Sequence, residues 1–345
     1  MTIYFLKFPL QTSLGGGEIY TLALAKHYQQ LGHEVRLFTS DALLFRLFEK
    51  HDLPRKRLFF GWEPTAKWSL LLWPLTYLIA RHKLKKILKI HTGQTGSIEH
   101  ICHGLTEKLI LTPMVAKTIW IEHKIPGRWL KWSPLKFRYL KLAKQAKLVT
   151  VSEFAKSEFI KLGVPEKNIQ VIYPSPTSLP WHGEGLREGS QNFTIGILGR
   201  LDPEKGIIEF LRSVIPALGR NPSWKILIAG EGPEKNQIQH NQISYLGFIY
   251  DLDEFFSQIS VLAYPSKVPE SFGMAAAEAV SRGVPVIASK IGALPELIQH
   301  EKTGYLVEQP DEWIKYLEQL THDRGLVVRI DTPSAAKPLF PDLGL

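Results

Sequence analysis

The stretch Tyr264 to Ser289, YPSKVPESFGMAAAEAVSRGVPVIAS, limits what this chain can fold into more than any other. A loop carrying Pro265, Ser266 and Pro269 leads into Glu270 and Ser271-Phe272-Gly273-Met274. The run Ala275 to Ala279, with Glu278 inside it, is made of strong helix formers, so a helix is expected from Gly273 to a glycine stop at Gly283. Val284 to Ala288 is short, apolar and β-branched, which reads as a buried strand. Loop, helix and strand in that order form the repeating unit of an α/β domain. The first turn of such a helix leaves backbone N–H groups unpaired at the positive end of its dipole, a seat for an anion. Glu270 and Glu278 stand eight residues apart, roughly 12 Å along an axis if every step is helical. Carboxylates that flank one scissile sugar bond stand about 5 to 9.5 Å apart. These two are better suited to holding separate parts of one long ligand. The plainer alternative is a solvated loop acid and a surface salt bridge.

The N-terminus repeats the unit. Thr2 to Phe8 reads as a strand, Gly15-Gly16-Gly17-Glu18 as a loop, Ile19 to Leu31 as an amphipathic helix closed by Gly32, and His33 to Thr39 as the next strand. A glycine loop at the carboxyl end of a first strand lies where open α/β sheets bind ligands. Tyr20 occupies the third glycine position of a dinucleotide fingerprint, so that fingerprint is absent, and a tight turn remains an alternative. Ile98–His103, Lys117–His123, Leu148–Glu153 and Ile169–Tyr173 read as further strands, while residues 41–91 read as irregular. Pro174 to Asn192 is rich in Pro, Gly and Ser and reads as a linker. Phe193 to Leu198 opens a second sheet, followed by Gly199-Arg200-Leu201-Asp202-Pro203-Glu204-Lys205-Gly206. An Arg fork and a compact Lys charge between strand and helix suit a phosphate group. The expected organisation is a first domain over 1–173, a linker over 174–192, a second domain over 193–320 and a tail over 321–345.

Several of these segments resemble one family. P-S-x-x-x-E-S-F-G with its helix and G-V-P-V-I-A resembles the E-x7-E region of the retaining glycosyltransferases of family 4, also called group 1. G-R-x-x-x-x-K-G and L-G-G-G-E…G-H-E-V resemble other motifs of that family, and I-W-I-E-H resembles a strand end that keeps a histidine. The resemblance implies a GT-B fold, two Rossmann-like α/β domains facing each other across a cleft. It implies a nucleotide-diphosphate sugar as donor and transfer with retention of configuration. Arg200 and Lys205 would bind the diphosphate, Glu278 the ribose and Glu270 the sugar. His123 would stand by the donor sugar, and Gly16, Gly17, Phe272, Gly273 and Met274 would line the donor site. Lys124 replaces the family's usual Asp after the histidine. The tail from Arg324 lacks the amphipathic helix that normally crosses back to the first domain.

Charge is unevenly spread. Residues 1–180 carry 27 Lys and Arg against 12 Asp and Glu, while 181–345 carry 15 against 21. A basic first half suggests an anionic partner for that half. No nucleic-acid motif accompanies it. Trp62, Trp68 and Trp73 precede an aliphatic stretch and the basic run Arg81 to Lys89, the composition of an interfacial membrane helix or of an ordinary helix with a solvated lysine face. The expected partners are therefore a nucleotide sugar, a glycan or lipid-linked acceptor and an anionic membrane surface, with no nucleic acid. One cysteine, Cys102, and an N-terminus that reads as a strand suit a cytoplasmic protein. His100, His103 and His123 do not form a ligand set by spacing, so neither metal nor cofactor is expected. Asp251-x-Asp253 reads as a helix start, with Asp251 as the cap, and not as a metal–nucleotide signature. Alternatives for the whole chain are a non-catalytic sugar-nucleotide-binding scaffold and a sugar-nucleotide epimerase of the same architecture.

Overall fold

The computed structural model describes residues 1–8, 16–58, 71–91, 98–115, 118–174 and 192–322. Gly15, Trp62, Trp68, most of the expected linker and the tail beyond residue 322 lie outside the described residues. The chain divides into two compact units, with Tyr173 in the first and Pro174 in the second.

The first unit is a seven-stranded parallel sheet. In chain order its strands are β1 (Thr2–Lys7), β2 (Glu34–Thr39), β3 (Arg55–Arg57), β4 (Ile98–Cys102), β5 (Ile119–Glu122), β6 (Lys147–Thr150) and β7 (Ile169–Val171), and across the sheet they run β3-β2-β1-β4-β5-β6-β7. Parallel strands need crossovers, and α1 (Gly16–Gln30), α2 (Ala42–Lys50), α3 (Trp73–His91), α4 (Leu105–Leu111), α5 (Arg128–Lys131), α6 (Lys136–Ala143) and α7 (Glu153–Leu162) supply them. One face of the sheet buries Phe5, Leu24, Tyr28, Leu44 and Phe48 under α1 and α2. The other buries Trp73, Ala80, Leu84, Leu109, Trp120, Tyr139 and Phe159 under α3, α4, α6 and α7.

Residues 41–58, expected to be irregular, contain α2 and β3. Asp41 caps α2 by accepting from the N–H groups of Leu43 and Leu44, and Leu44 and Phe48 place one apolar stripe on the core. The cap is a single residue and the strand is three, so neither gives a long periodic signal. The strand expected at 148–153 ends at Thr150, because Ser152 turns the chain and caps α7 through Ala155 N–H.

The second unit is a six-stranded parallel sheet: β8 (Phe193–Leu198), β9 (Trp224–Ala229), β10 (Ile243–Gly247), β11 (Val261–Tyr264), β12 (Val286–Ser289) and β13 (Gly304–Val307), in the order β10-β9-β8-β11-β12-β13. Its helices are α8 (Ile207–Leu218), α9 (Leu252–Ser257), α10 (Met274–Ser281), α11 (Leu294–Leu297) and α12 (Glu312–His322). Both sheets reverse winding direction in the middle, between β1 and β4 in the first unit and between β8 and β11 in the second. Open α/β sheets bind ligands outside the carboxyl ends of the strands at such a reversal.

Candidate functional site

In the second unit the loops leaving β8 and β11 meet at the reversal. Lys205 Nζ lies 2.6 Å from Glu270 Oε1, and Ser266 Oγ lies 2.8 Å from the same oxygen. The Lys205 ammonium also stands 5.6 Å from the Tyr264 ring centre. Burial raises the Tyr264 pKa well above its ordinary value, the nearby Glu270 carboxylate raises it further, and Arg200 opposes them. Tyr264 therefore stays protonated and hydrogen-bonds the carboxylate. Arg200 is half exposed and pairs with Asp202. The structure thus brings Arg200, Lys205 and Glu270 around Tyr264.

Two glycines permit this approach. Gly206 has φ of 64°, and a Cβ there would stand 2.3 Å from the Pro265 carbonyl oxygen. Gly292 also has φ of 64°, and its Cβ would stand 2.4 Å from the Glu270 backbone nitrogen. Only glycine tolerates that backbone and that contact. Gly292 was not singled out by sequence reasoning; its one signal is its place just past a strand end. Gly273 (φ 102°) starts α10, with Phe272 buried before it and Met274 half buried in its first turn.

Glu278 lies apart from this cluster in its bonding. Its side chain is 5% exposed and ion-pairs with Arg282 one turn on. Arg282 is itself 3% exposed, reaches Asp253 at 2.8 Å and stacks over Phe256 at 5.0 Å. Because α10 begins at Met274, only about half of the steps between Glu270 and Glu278 are helical, and the all-helical 12 Å spacing does not apply. Asp251 accepts from Glu254 N–H at 2.9 Å as the cap of α9, and Asp253 serves Arg282. A groove of about 720 Å3 opens nearby along α8 and the ends of β11 to β13. It shares Gly206 and Ser266 with the cluster, but its charges Lys267–Glu209 and Lys290–Glu308 neutralise each other.

In the first unit the reversal carries a histidine pair. His103 follows β4, His123 follows β5, and His103 Nδ1 is 2.8 Å from His123 Nε2. The rings are nearly parallel, with centres 5.1 Å apart. The backbone of Gly17, in the first turn of α1 next to Gly16, faces the His123 ring, which a Cβ would approach at 3.4 Å. Tyr20 packs edge-on against the same ring. Burial holds the pKa of both histidines well below the ordinary value, and the charges of Lys7 and Lys108 push the same way. Lys7 is buried in an ion pair with Glu18, and Lys108 is buried against Glu122 at 3.0 Å and the His103 carbonyl at 2.8 Å. Sequence reasoning missed the partnership of the two histidines and the role of both lysines. The available signal was a lysine, Lys7, inside an otherwise apolar strand. Among the described residues no group of three or more His, Cys, Asp or Glu could hold a metal ion.

Two parallel sheets, each with its polar cluster at the winding reversal, define a two-domain α/β protein of the GT-B class. Residues 14–175 match the family described as Glycosyltransferase Family 4, and residues 192–323 match Glycosyl transferases group 1. The chain belongs to this glycosyltransferase family. An N-acetyl-alpha-D-glucosaminyl L-malate synthase of Bacillus anthracis is 26% identical over 326 residues, 87% of this chain and 82% of that one. An uncharacterized glycosyltransferase of Methanocaldococcus jannaschii, MJ1607, is 30% identical over 213 residues, and the match spans 54% of each chain. Among solved structures, Anabaena Alr3699/HepE in complex with UDP and glucose shares the fold, with a TM-score of 0.73 at 20% identity over 96% of this chain and 94% of that one.

Proposed function

We propose that this glycosyltransferase moves a sugar from a nucleotide-diphosphate sugar to a glycan or lipid-linked acceptor at an anionic membrane surface, with retention of configuration and without a metal ion. The observation that carries the reading is the Lys205–Glu270 pair at the β8–β11 reversal, with Arg200 beside it. Sugar transfer leaves a diphosphate whose negative charge grows as the glycosidic bond breaks. Fixed cations aimed at that growing charge are the largest usual source of rate enhancement. Arg200 and Lys205 supply them, and the N–H groups at the start of α10 add a third positive source. This removes the need for a metal at the diphosphate. Glu270, one contact from Lys205, accepts hydrogen bonds from the sugar hydroxyls. Its ion pair holds the ammonium in place before the donor arrives. Glu278 takes the ribose hydroxyls, with Arg282 fixing its carboxylate. His123, kept neutral by burial and by Lys7, Lys108 and Lys124, can hydrogen-bond a sugar hydroxyl without adding charge. The UDP and glucose found in the Anabaena structure make a UDP-sugar the first donor to try.

A thermal-shift screen of nucleotide sugars, followed by transfer assays on lipid-linked and glycan acceptors, tests the reading. Lys205→Ala is expected to lower kcat by about 10²-fold, the usual cost of one transition-state hydrogen-bond donor. EDTA is expected to leave the wild-type rate unchanged, and product NMR to show the donor's anomeric configuration. Unchanged turnover in Lys205→Ala would remove the assignment. Donor converted without any acceptor would indicate an epimerase, and donor bound without turnover a scaffold.

A further inference from the structure

Helix α3 has two apolar stripes, and among the described residues only one of them packs into the core. Trp73, Ala80 and Leu84 point into the core and are at most 7% exposed, with Tyr77 partly buried beside them. At 100° per residue, Leu75, Leu78 and Ile79 fall on the opposite side, and Leu71 just before the helix continues that line. These four are 81%, 60%, 62% and 47% exposed, in the order Leu71, Leu75, Leu78 and Ile79. The same side continues into exposed His82, Lys85 and Lys86. An amphipathic surface helix normally shows water a polar face opposite its buried one. Here that face is leucine for two turns and then lysine.

The patch extends beyond one helix. Arg138 of α6 stacks over the Tyr77 ring at 4.6 Å and donates to its hydroxyl at 2.7 Å, which joins α6 to α3. Phe137, next to Arg138, is 81% exposed, and Trp132, between α5 and α6, is 87% exposed. Residues 71–91 contain five Lys and Arg and no acid, and residues 124–147 contain eight and no acid. Exposed aliphatic and aromatic side chains ringed mainly by cations, with Glu158 paired to Lys131 at the Trp132 edge, suit the interface of an anionic bilayer, where apolar groups enter the acyl boundary and cations meet the headgroups. A second copy of this chain would bring the same positive charge to the contact, so charge complementarity favours lipid. No helix among the described residues is long and apolar enough to cross a membrane, so contact is from the side.

We infer that the α3–α6 face docks this protein on anionic membrane, with Leu71, Leu75, Leu78 and Phe137 inserted and Lys85, Lys86 and Arg138 at the headgroups. The inference rests on the membrane part of the reading above but not on its chemistry. Vesicle flotation of the full chain tests it, with phosphatidylcholine alone and with 30% phosphatidylglycerol, at about 50 mM and 500 mM salt. The wild type is expected to float with the anionic vesicles at low salt and at least 10-fold less well with neutral ones. Lys85→Glu/Lys86→Glu is expected to bind at least 10-fold more weakly, since each lysine near such a surface contributes about a factor of 5. Leu75→Glu/Leu78→Glu should lose binding to a similar extent at low salt, with an unchanged circular dichroism spectrum and melting curve. Leu31→Glu, another exposed leucine, lies at the end of α1 on the other side of the sheet and should bind as wild type. Absence of anionic-vesicle binding at low salt would overturn the inference. So would wild-type binding by Leu75→Glu/Leu78→Glu, or a solution dimer that this variant dissolves without any vesicle binding. Soluble-acceptor transfer that persists in the Leu75→Glu/Leu78→Glu variant would show that docking and chemistry fail separately.

Discussion

Glu278→Ala is expected to lower stability by about 3 kcal/mol before it affects any ribose contact. Glu278 and Arg282 are both buried and neutralise each other within one turn of α10. Removing one partner of a buried ion pair leaves an uncompensated charge, which costs about 3–5 kcal/mol. The lower end applies because Asp253, 58% exposed, still reaches Arg282 at 2.8 Å. A melting temperature lower by about 10 °C is the expected readout. A loss of activity in that variant would therefore say nothing about the ribose. Glu278→Ala/Arg282→Met separates the two effects, because an apolar side chain of similar length removes the stranded charge. The double variant is expected to regain most of the lost melting temperature and still to show a raised KM for the donor. A donor KM equal to wild type in the stable double variant would leave Glu278 a purely structural residue. A single variant that melts as wild type would mean that Asp253 alone satisfies Arg282.

How far these arrangements were legible in the sequence depended on the range of the interaction. The sheet units were legible because strand, glycine loop and helix follow one another within about 30 residues, and hydrophobic periodicity reports that directly. Arg200, Lys205 and Glu270 could be nominated because each follows an apolar strand and stands in a motif that resembles one of the family's. Their meeting point required knowing that β8 and β11 are neighbours, which strand order alone decides. Glu278 shows the limit from the other side. Its Arg282 partner is four residues away, the spacing of a helical pair, yet the burial that makes the pair consequential comes from α9 and Phe256. Likewise His103 and His123 are twenty residues apart just past the ends of adjacent strands, so no local pattern joins them. The second leucine stripe of α3 was half legible, because its composition fitted an interfacial helix and a sheet-covering helix alike. In sequence, a helix apolar on two sides looks like a helix that is simply hydrophobic, and only exposure tells which side the fold leaves open.

Mild acid is expected to destabilise the first unit, because three histidines are held neutral there, His100 and His103 buried and His123 half-buried. His100 has its pKa pushed down to about 4 by burial, and among the described residues both of its ring nitrogens lack a hydrogen-bond partner. His103 and His123 are held well below the ordinary value by burial, by Lys7 and Lys108, and in the case of His123 also by Lys124. All three lie on or just beyond β4 and β5. In the unfolded chain each takes up a proton near pH 6.5, while in the folded chain it does not. Below pH 6.5 the unfolded state thus binds more protons, and stability falls with pH by about 1.4 kcal/mol per unit for each histidine still neutral. Above pH 6.5 both states are neutral, and the histidines add no pH dependence. For His100 the loss runs from pH 6.5 down to its folded value near 4, about 3 kcal/mol in all. Carboxylates mostly titrate below pH 5, so the window from pH 7 to pH 5 isolates the histidines. Urea melts at pH 7, 6 and 5 are expected to show the midpoint of the first unit falling steeply, while that of the second stays nearly level. His100→Leu, which keeps an apolar body against the Tyr4 ring, should remove part of the slope, the rest belonging to His103, His123 and the also lowered His27 and His51. Midpoints that do not move between pH 7 and pH 5 would mean that water or an anion reaches these rings and that the cationic cradle around His123 does not keep it neutral.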